Sequence, residues 1–322
     1  MAGNRFYLGG FIFILVAIII WASYGMLNVG KSEESSAVSV IVDDSNSDRW
    51  IALRQGLEQA ARDYNIDLNY VSTGKISGVE EEMALIRREL DNGAKGIIVQ
   101  LVSSADADAL SDISAKAALI LLETDVTPED LYAFAGPDNL EIGRAMAKAV
   151  RQELGDELAA KRIGVLCGNQ KQLAMQQRLQ GLQEGLGVES ADFAWMLERE
   201  DTQTELQLPG GSGSADIIIA LADNETEKMA DYLQSEERAG AACVLYGVGC
   251  SEKAVYYLDK GVIKTLIVPN EFNMGYQSME AMANQLKYHL AKAENSQVHF
   301  LVIDRTNLYD DANQKVLFPI VQ

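Results

Sequence analysis

The feature that most constrains this chain is an alternation that begins at Val38 and continues to Ile303. Short apolar runs dominated by Val, Ile and Leu are separated by longer amphipathic stretches. The runs are VSVIV, DLNYV, GIIVQL, ALILL, YAFAG, RIGVL, DFAWML, DIIIAL, ACVLYGV, TLIV and HFLVI. Runs this short and this apolar suit strands buried on both faces, as in a parallel sheet covered by helices. Between them, DRWIALRQGLEQAARDYN sets Ile51, Leu53, Leu57 and Ala61 toward one side of a helix. GVEEEMALIRRELDNG does so with Met83, Ile86 and Leu90 before closing on a glycine. NLEIGRAMAKAVRQELG and NETEKMADYLQSEERAG repeat the plan. A strand–helix order run through twice predicts two doubly wound α/β lobes, and 322 residues are too many for one small core. No solenoid period is visible. The segment PGGSGS, 209–214, lacks the Gly-Lys-Ser/Thr ending of a phosphate loop and reads as a flexible connection.

The N-terminus is of another kind. FYLGGFIFILVAIIIWASYGML, from Phe6 to Leu27, carries no charge. At about 1.5 Å per residue it is long enough to cross a bilayer core of roughly 30 Å. Arg5 and the α-amino group precede it, and Glu33 and Glu34 follow it against a lone Lys31. That bias places the chain beyond the segment outside the cytoplasm. A cleaved signal peptide is the rival reading. The length of the run, and the lack of a small-x-small site in WASYGMLN, favour an uncleaved anchor. The expectation is an anchor over 1–30, a tether over 31–37, and a cell-membrane, single-pass protein whose folded part is extracytoplasmic.

The charge excludes some functions. A net charge of −20 argues against nucleic acid as a partner, because phosphate binding needs a basic face. Catalysis has little to stand on. His289 and His299 are accompanied by no Ser/His/Asp order, no HExxH and no paired Cys/His spacing. GVGCSE lacks the third glycine of a dinucleotide fingerprint. Cys167, Cys243 and Cys250 form no disulfide framework. The first two sit in apolar runs as small hydrophobes; Cys250, on a strand-to-helix turn, is weighed between packing and reactivity. VEEEM reads as a solvated first helical turn. No metal, cofactor or catalytic residue is expected.

What remains is a geometric theme: polar residues gather where the apolar runs end. Asn46, Arg49 and Trp50 follow the first run, Gln100 and Ser103 follow GIIV, Glu123 and Thr124 follow the fourth run, and Asp223 and Asn224 the eighth. In open parallel sheets, ligands bind outside the carboxyl ends of the strands. Ordinary turn chemistry accounts for Ser, Asn and Asp. It accounts poorly for an indole beside a guanidinium, since a bulky ring on a turn needs something to cover it. A stacking ring among fixed donors and acceptors is what a sugar needs.

With these residues in order, the chain resembles the type 1 periplasmic-binding-protein family, the sugar-binding receptors related to the LacI-type repressor core. VSVIVDDSNSDRWIALRQGLEQAARDYNIDLNYV is similar to its first βαβ unit, and LIRRELDNGAKGIIVQLVSSAD to its second helix and third strand. AGPDNLEIGRAMA is similar to its Asp-Asn-x-x-x-Gly crossing between lobes, and QQRLQGLQEGL to its Arg-x-x-Gly-Phe helix; ALADNETEKMA and LYGVGCSEKAVYYLDKGVIKTLIV follow in order. The resemblance implies two Rossmann-like lobes with parallel sheets joined by crossing segments. The first would take 38–137 plus 270–302, and the second 138–269 plus 303–322. It implies a ligand-facing role for Asn46, Arg49 and Trp50 on the first loop. Arg49 stands where another aromatic is common. Glu123 takes the place of a hydroxyl-binding aspartate, with Thr124 in place of a frequent arginine. Asp138 and Asn139 match the crossing, and Arg178 a forking arginine. Asp223 stands where an asparagine is common, and Asn270 near a last pocket amide. The largest departure is Gly249, where the family usually has an aspartate.

The function implied is an extracytoplasmic solute receptor, not an enzyme. It would bind a sugar, an amino sugar, a polyol or a similar polar molecule between the lobes and serve an ABC-type transporter. A ligand-sensing subunit acting with a membrane sensor kinase is the alternative. A repressor core would need a basic DNA-binding head where this chain has an apolar segment.

Overall fold

In the computed structural model, residues 16–19, 35–105, 107–127, 131–198, 206–209, 214–235 and 243–319 are described. Residues Ala37–Gln322 form one compact unit and Met1–Ser36 another. Of the expected anchor only 16–19 are described, as helix; the rest of that expectation lies outside the described residues. Among the described residues no helix is long and apolar enough to cross a membrane.

The strands, in chain order, are β1 (Ser36–Ile41), β2 (Ile66–Tyr70), β3 (Gly96–Val99), β4 (Ala118–Leu122), β5 (Ala133–Pro137), β6 (Ile163–Gly168), β7 (Trp195–Glu198), β8 (Ile217–Ala220), β9 (Val244–Val248), β10 (Ile263–Pro269), β11 (Ser296–Val298) and β12 (Phe300–Asp304). The helices are α1 (Ile51–Asp63), α2 (Val79–Asp91), α3 (Ala107–Ser114), α4 (Asn139–Leu154), α5 (Leu173–Leu186), α6 (Asp223–Gln234), α7 (Glu252–Lys260), α8 (Glu271–Tyr288) and α9 (Asp311–Leu317). They build two six-stranded sheets, ordered β11-β5-β4-β3-β1-β2 and β12-β10-β9-β8-β6-β7. β3 pairs in parallel with β1 and β4, and β8 in parallel with β6 and β9. β12 runs antiparallel to β10 at the edge of the second sheet. These are the two α/β lobes expected.

Each sheet is covered on both faces, which is why its strands are apolar throughout. Val38, Val40, Ile98, Ile120 and Leu122 pack under α1 and α8, against Leu53, Leu57, Met274 and Met282. The alternate residues Ile41, Ile97, Val99, Leu119 and Leu121 pack on the other face against Met83, Ile86, Leu110 and Ile113. In the second sheet Ile217 and Ile219 face α4 and α5, while Ile218 and Ala220 face α6 and α7. This is the period-two alternation of a strand with no solvent face.

The same device seats one helix pair in each lobe. A Cβ on Gly56 of α1 would lie 2.0 Å from the Phe272 carbonyl oxygen, and one on Gly275 of α8 would lie 2.1 Å from that of Leu53. In the second lobe a Cβ on Gly143 of α4 would lie 2.1 Å from the Arg178 carbonyl oxygen, and one on Gly181 of α5 would lie 2.0 Å from that of Leu140. The second pair brings Arg178 against the start of α4.

Some expectations are corrected. Ile51 is exposed, and Ala60 joins Leu53, Leu57 and Ala61 in the core instead. Glu82, expected in a solvated turn, is buried and accepts the Val102 amide at 2.9 Å. The change of sheet expected at 302/303 falls inside β12: Phe300, Leu301 and Val302 pair with β10, so the chain crosses at His299.

Candidate functional site

Loops at the carboxyl ends of strands from both sheets meet around a cavity of about 640 Å³, within the range of small-molecule sites. The first lobe contributes Asp43, Asp44, Ser47, Arg49 and Trp50 after β1, residues 75–79, and Gln100, Val102 and Ser103 after β3. The second contributes Asn169, Lys171, Gln172 and Met175 after β6, and Ala222, Asn224 and Glu225 after β8. The first loop is braced locally. The Trp50 indole N–H donates to the Asp43 carbonyl at 3.0 Å, Asp43 accepts the Ile76 amide at 2.6 Å, and the Ser45 hydroxyl accepts the Thr73 amide at 2.7 Å.

The lobes are hydrogen-bonded across the cleft. The Ser104 amide donates to the Lys171 carbonyl at 2.9 Å, and the Asn169 and Gln172 amides donate to the Val102 and Leu101 carbonyls at 2.9 and 2.7 Å. Helix α5 has no side-chain cap from its own preceding residue, Gln172. Its first amides donate instead to the other lobe: Leu173 to the Ser104 hydroxyl at 2.8 Å, and Ala174 to that of Thr124 at 3.2 Å. The orphan donors of the helix start are thus satisfied by the lobe opposite.

Beneath the cavity lies a buried charged cluster centred on Glu123, whose φ of +63° is in the left-handed region that residues other than glycine seldom adopt. One carboxylate oxygen accepts the Arg49 guanidinium and, at 2.8 Å, the Gln100 amide. The other accepts Arg178 at 3.0 Å. Arg178 also donates to the Asn139 side chain at 2.9 Å and to the Leu221 carbonyl at 3.0 Å, and Asn139 donates to the Glu123 carbonyl at 2.9 Å. Burial pushes the Glu123 carboxyl up, but Arg49 and Arg178 outweigh it and hold the group down at about 2. Burial pushes Glu271 up to about 8, against the pull of Arg49. Asp223 is raised by burial too, although Arg49 and the Cys250 amide, donating to it at 2.8 Å, pull it down. Gly249 makes room for it, because a Cβ there would lie 2.4 Å from Asp223 Oδ2. Burial, with Glu271 and Asp223, pushes the Cys250 thiol well above its usual value, so it is a packing group and not a thiolate nucleophile.

Arg49, Glu123, Asn139, Arg178 and Asp223 therefore come together. Trp50 adjoins them but is only 2% exposed, packs into the first core, and has the Arg49 guanidinium 4.1 Å above its ring. The face expected to stack on a ligand is covered by the neighbouring side chain. Asn46 is exposed and does not line the cavity. Asp138 and Asn270 serve as N-caps, accepting the Glu141 amide at 2.9 Å and the Asn273 amide at 3.0 Å. Sequence reasoning missed Glu271, in the first turn of α8, and the rim of Asn169 and Gln172. Their signal was position alone, directly after a buried strand. Among the described residues no group of three or more His, Cys, Asp or Glu is placed to hold a metal ion.

Residues 38–290 match the family model described as periplasmic binding protein domain. The chain belongs to that family. No curated protein matches its sequence. Among solved structures, a carbohydrate transporter solute binding protein from Agrobacterium radiobacter, in complex with D-arabinose, is similar with a TM-score of 0.77 at 15% identity. The match covers 89% of this chain and 100% of that one. The Caulobacter myo-inositol binding protein bound to myo-inositol has a TM-score of 0.74 at 17% identity, over 87% and 97% of the two chains. The XylFII-LytSN complex has a TM-score of 0.69 at 12% identity, over 84% and 98%. These likenesses show that this periplasmic binding protein has the type 1 fold.

Proposed function

We propose that this chain is an extracytoplasmic solute receptor. It binds a sugar or sugar-like polar ligand between its lobes, catalyses nothing, and delivers the ligand to an ABC-type transporter while held at the membrane by an anchor over 1–30 and a tether over 31–37. The observation that carries the reading is the interlobe cavity at the carboxyl ends of the strands, walled by polar side chains from both lobes. Family membership and the sugar-bearing structures of the same fold support it. The lobes in this reading are 38–137 with 270–299 and 138–269 with 300–322. The XylFII-LytSN complex supports a second output, a receptor read by a membrane sensor kinase.

The test is a thermal-shift panel on the full chain with aldoses, amino sugars, polyols, nucleosides and amino acids. A ligand at about 100 times its dissociation constant adds roughly 2.7 kcal/mol of stability. A saturable shift confined to one class of hydroxylated ligand is expected. Flat melting across the whole panel would contradict the receptor reading.

A further inference from the structure

The cleft already contains something shaped like a ligand. The Arg49 guanidinium lies over the Trp50 ring, 4.1 Å from its centroid, and is anchored on the Glu123 carboxylate. Of the charged cluster, Arg49 alone among Arg49, Glu123, Arg178, Asp223 and Glu271 reaches the cavity wall, with its side chain 14% exposed. It forms a floor between the cavity and the carboxylates below.

Beneath that floor, some buried acceptors stand unpaired among the described residues. Asp223 Oδ1 and Glu271 Oε2 are buried without a hydrogen-bond partner, in residues 5% and 4% exposed. Gln100 Oε1, beside Arg49, has none either. Buried polar atoms are nearly always paired, and those that are not point to a missing group. Burial raises both Glu271 and Asp223, so Glu123, between Arg49 and Arg178, is the carboxylate of the cluster that is held ionised by both arginines.

We propose that the inner cleft is a seat for a cationic group, held in this structure by the chain's own Arg49, and that the ligand enters by putting a positively charged nitrogen in its place. The proposal rests on the receptor reading and names the class of ligand: a polyhydroxylated amine, such as an amino sugar or amino polyol. A neutral sugar that displaced Arg49 would strip a buried carboxylate of one of its two cations, which is strongly unfavourable. An ammonium group leaves the charge of the cluster unchanged and keeps a charged donor on the Glu123 carboxylate. The hydroxylated remainder lies in the cavity among Ser47, Gln100, Ser103, Asn169 and Asn224. The flexible Arg49 side chain, on a short turn over Asp48–Trp50, is the part that moves.

Two measurements on the full chain test this. In the first, Arg49→Ala is melted with ethylguanidinium, and with neutral ethylurea as the isosteric control. Ethylguanidinium is expected to raise the variant's melting temperature saturably at millimolar concentration, to leave the wild type unchanged, and to have no counterpart with ethylurea. Equal stabilisation by ethylurea would reduce the seat to an ordinary cavity and overturn the proposal. Arg49→Met, which keeps the aliphatic stem, replaces the alanine variant if that does not fold. In the second, glucose, galactose and their 2-amino forms are titrated into wild type and variant. The amino sugars are expected to bind the variant at least tenfold more tightly than the wild type, with the neutral sugars unchanged. Weaker binding of amino sugars to the variant would make Arg49 a ligand contact and overturn the proposal. Neutral sugars binding both proteins alike, with the amines inert, would leave the receptor reading standing and this inference fallen. If no sugar of either kind binds, the receptor reading falls, and the ethylguanidinium arm still decides the cation seat.

Discussion

Glu123 links the two lobes more directly than any other carboxylate in the cleft. It is 3% exposed, sits at the end of a first-lobe strand, and accepts Arg178 from a second-lobe helix. Removing one member of a buried pair leaves an uncompensated charge, so Glu123→Gln is expected to cost about 3–5 kcal/mol of stability in denaturant titration. A loss below about 1 kcal/mol would show that the cluster does not hold the lobes. The pH dependence has two opposed parts. Glu123, held at about 2 against burial by Arg49 and Arg178, contributes stability present above its unfolded value of about 4.5 and lost as pH falls toward 2. Glu271, raised by burial to about 8, is protonated in the folded chain where the unfolded chain has released its proton. Stability therefore falls as pH rises from about 4.5 to about 8. Glu271→Gln should remove that decline, so its melting temperature relative to wild type rises between pH 5 and pH 8. A constant difference across that window would contradict the assignment. At this scale the gathering of Arg49, Glu123, Asn139, Arg178 and Asp223 was legible through their order along the chain. The helix-cap bonds of Asp138 and Asn270 were not, because an N-cap and a pocket side chain look alike in sequence.

At the scale of elements, the helix pairs α1–α8 and α4–α5 depend on glycine at their contact. Adding a methyl group at Gly181, 2.0 Å from a backbone oxygen, forces α5 away from α4. Gly181→Ala is expected to cost about 1–3 kcal/mol or more and to loosen Arg178 with its helix. Gly74→Ala, where nothing lies within 4 Å, is the matched control and should be near neutral. Equal melting temperatures for the two variants would refute the close-packing account. The strands themselves were legible because burial on both faces leaves an unbroken apolar run, as in GIIV and ALILL. β11 was not: Ser296, Gln297 and Val298 pair at the sheet's edge with β5, and that pairing uses backbone groups which any sequence supplies. The step from β11 to β12 was hidden because it takes a single residue, His299, with no turn signal around it.

At the scale of the molecule, two sheets with their carboxyl ends turned toward one cavity make a site that neither lobe possesses alone. The contacts already present, from Ser104 and Thr124 to the start of α5, define an arrangement that a bound molecule would favour over any in which the lobes separate. Any separation of the lobes would move the amide donors of α5 from the first lobe to water. The measurement that tests the central claim most directly is a calorimetric titration of the panel's best ligand into three full-length proteins: wild type, Ser47→Trp and Asn224→Trp. Each indole occupies part of the cavity from a different lobe, and both positions lie on its wall. A ligand held between the lobes should lose at least 100-fold in affinity in both variants while their melting temperatures stay at the wild-type value. Wild-type affinity in either one would place the ligand elsewhere and contradict the account.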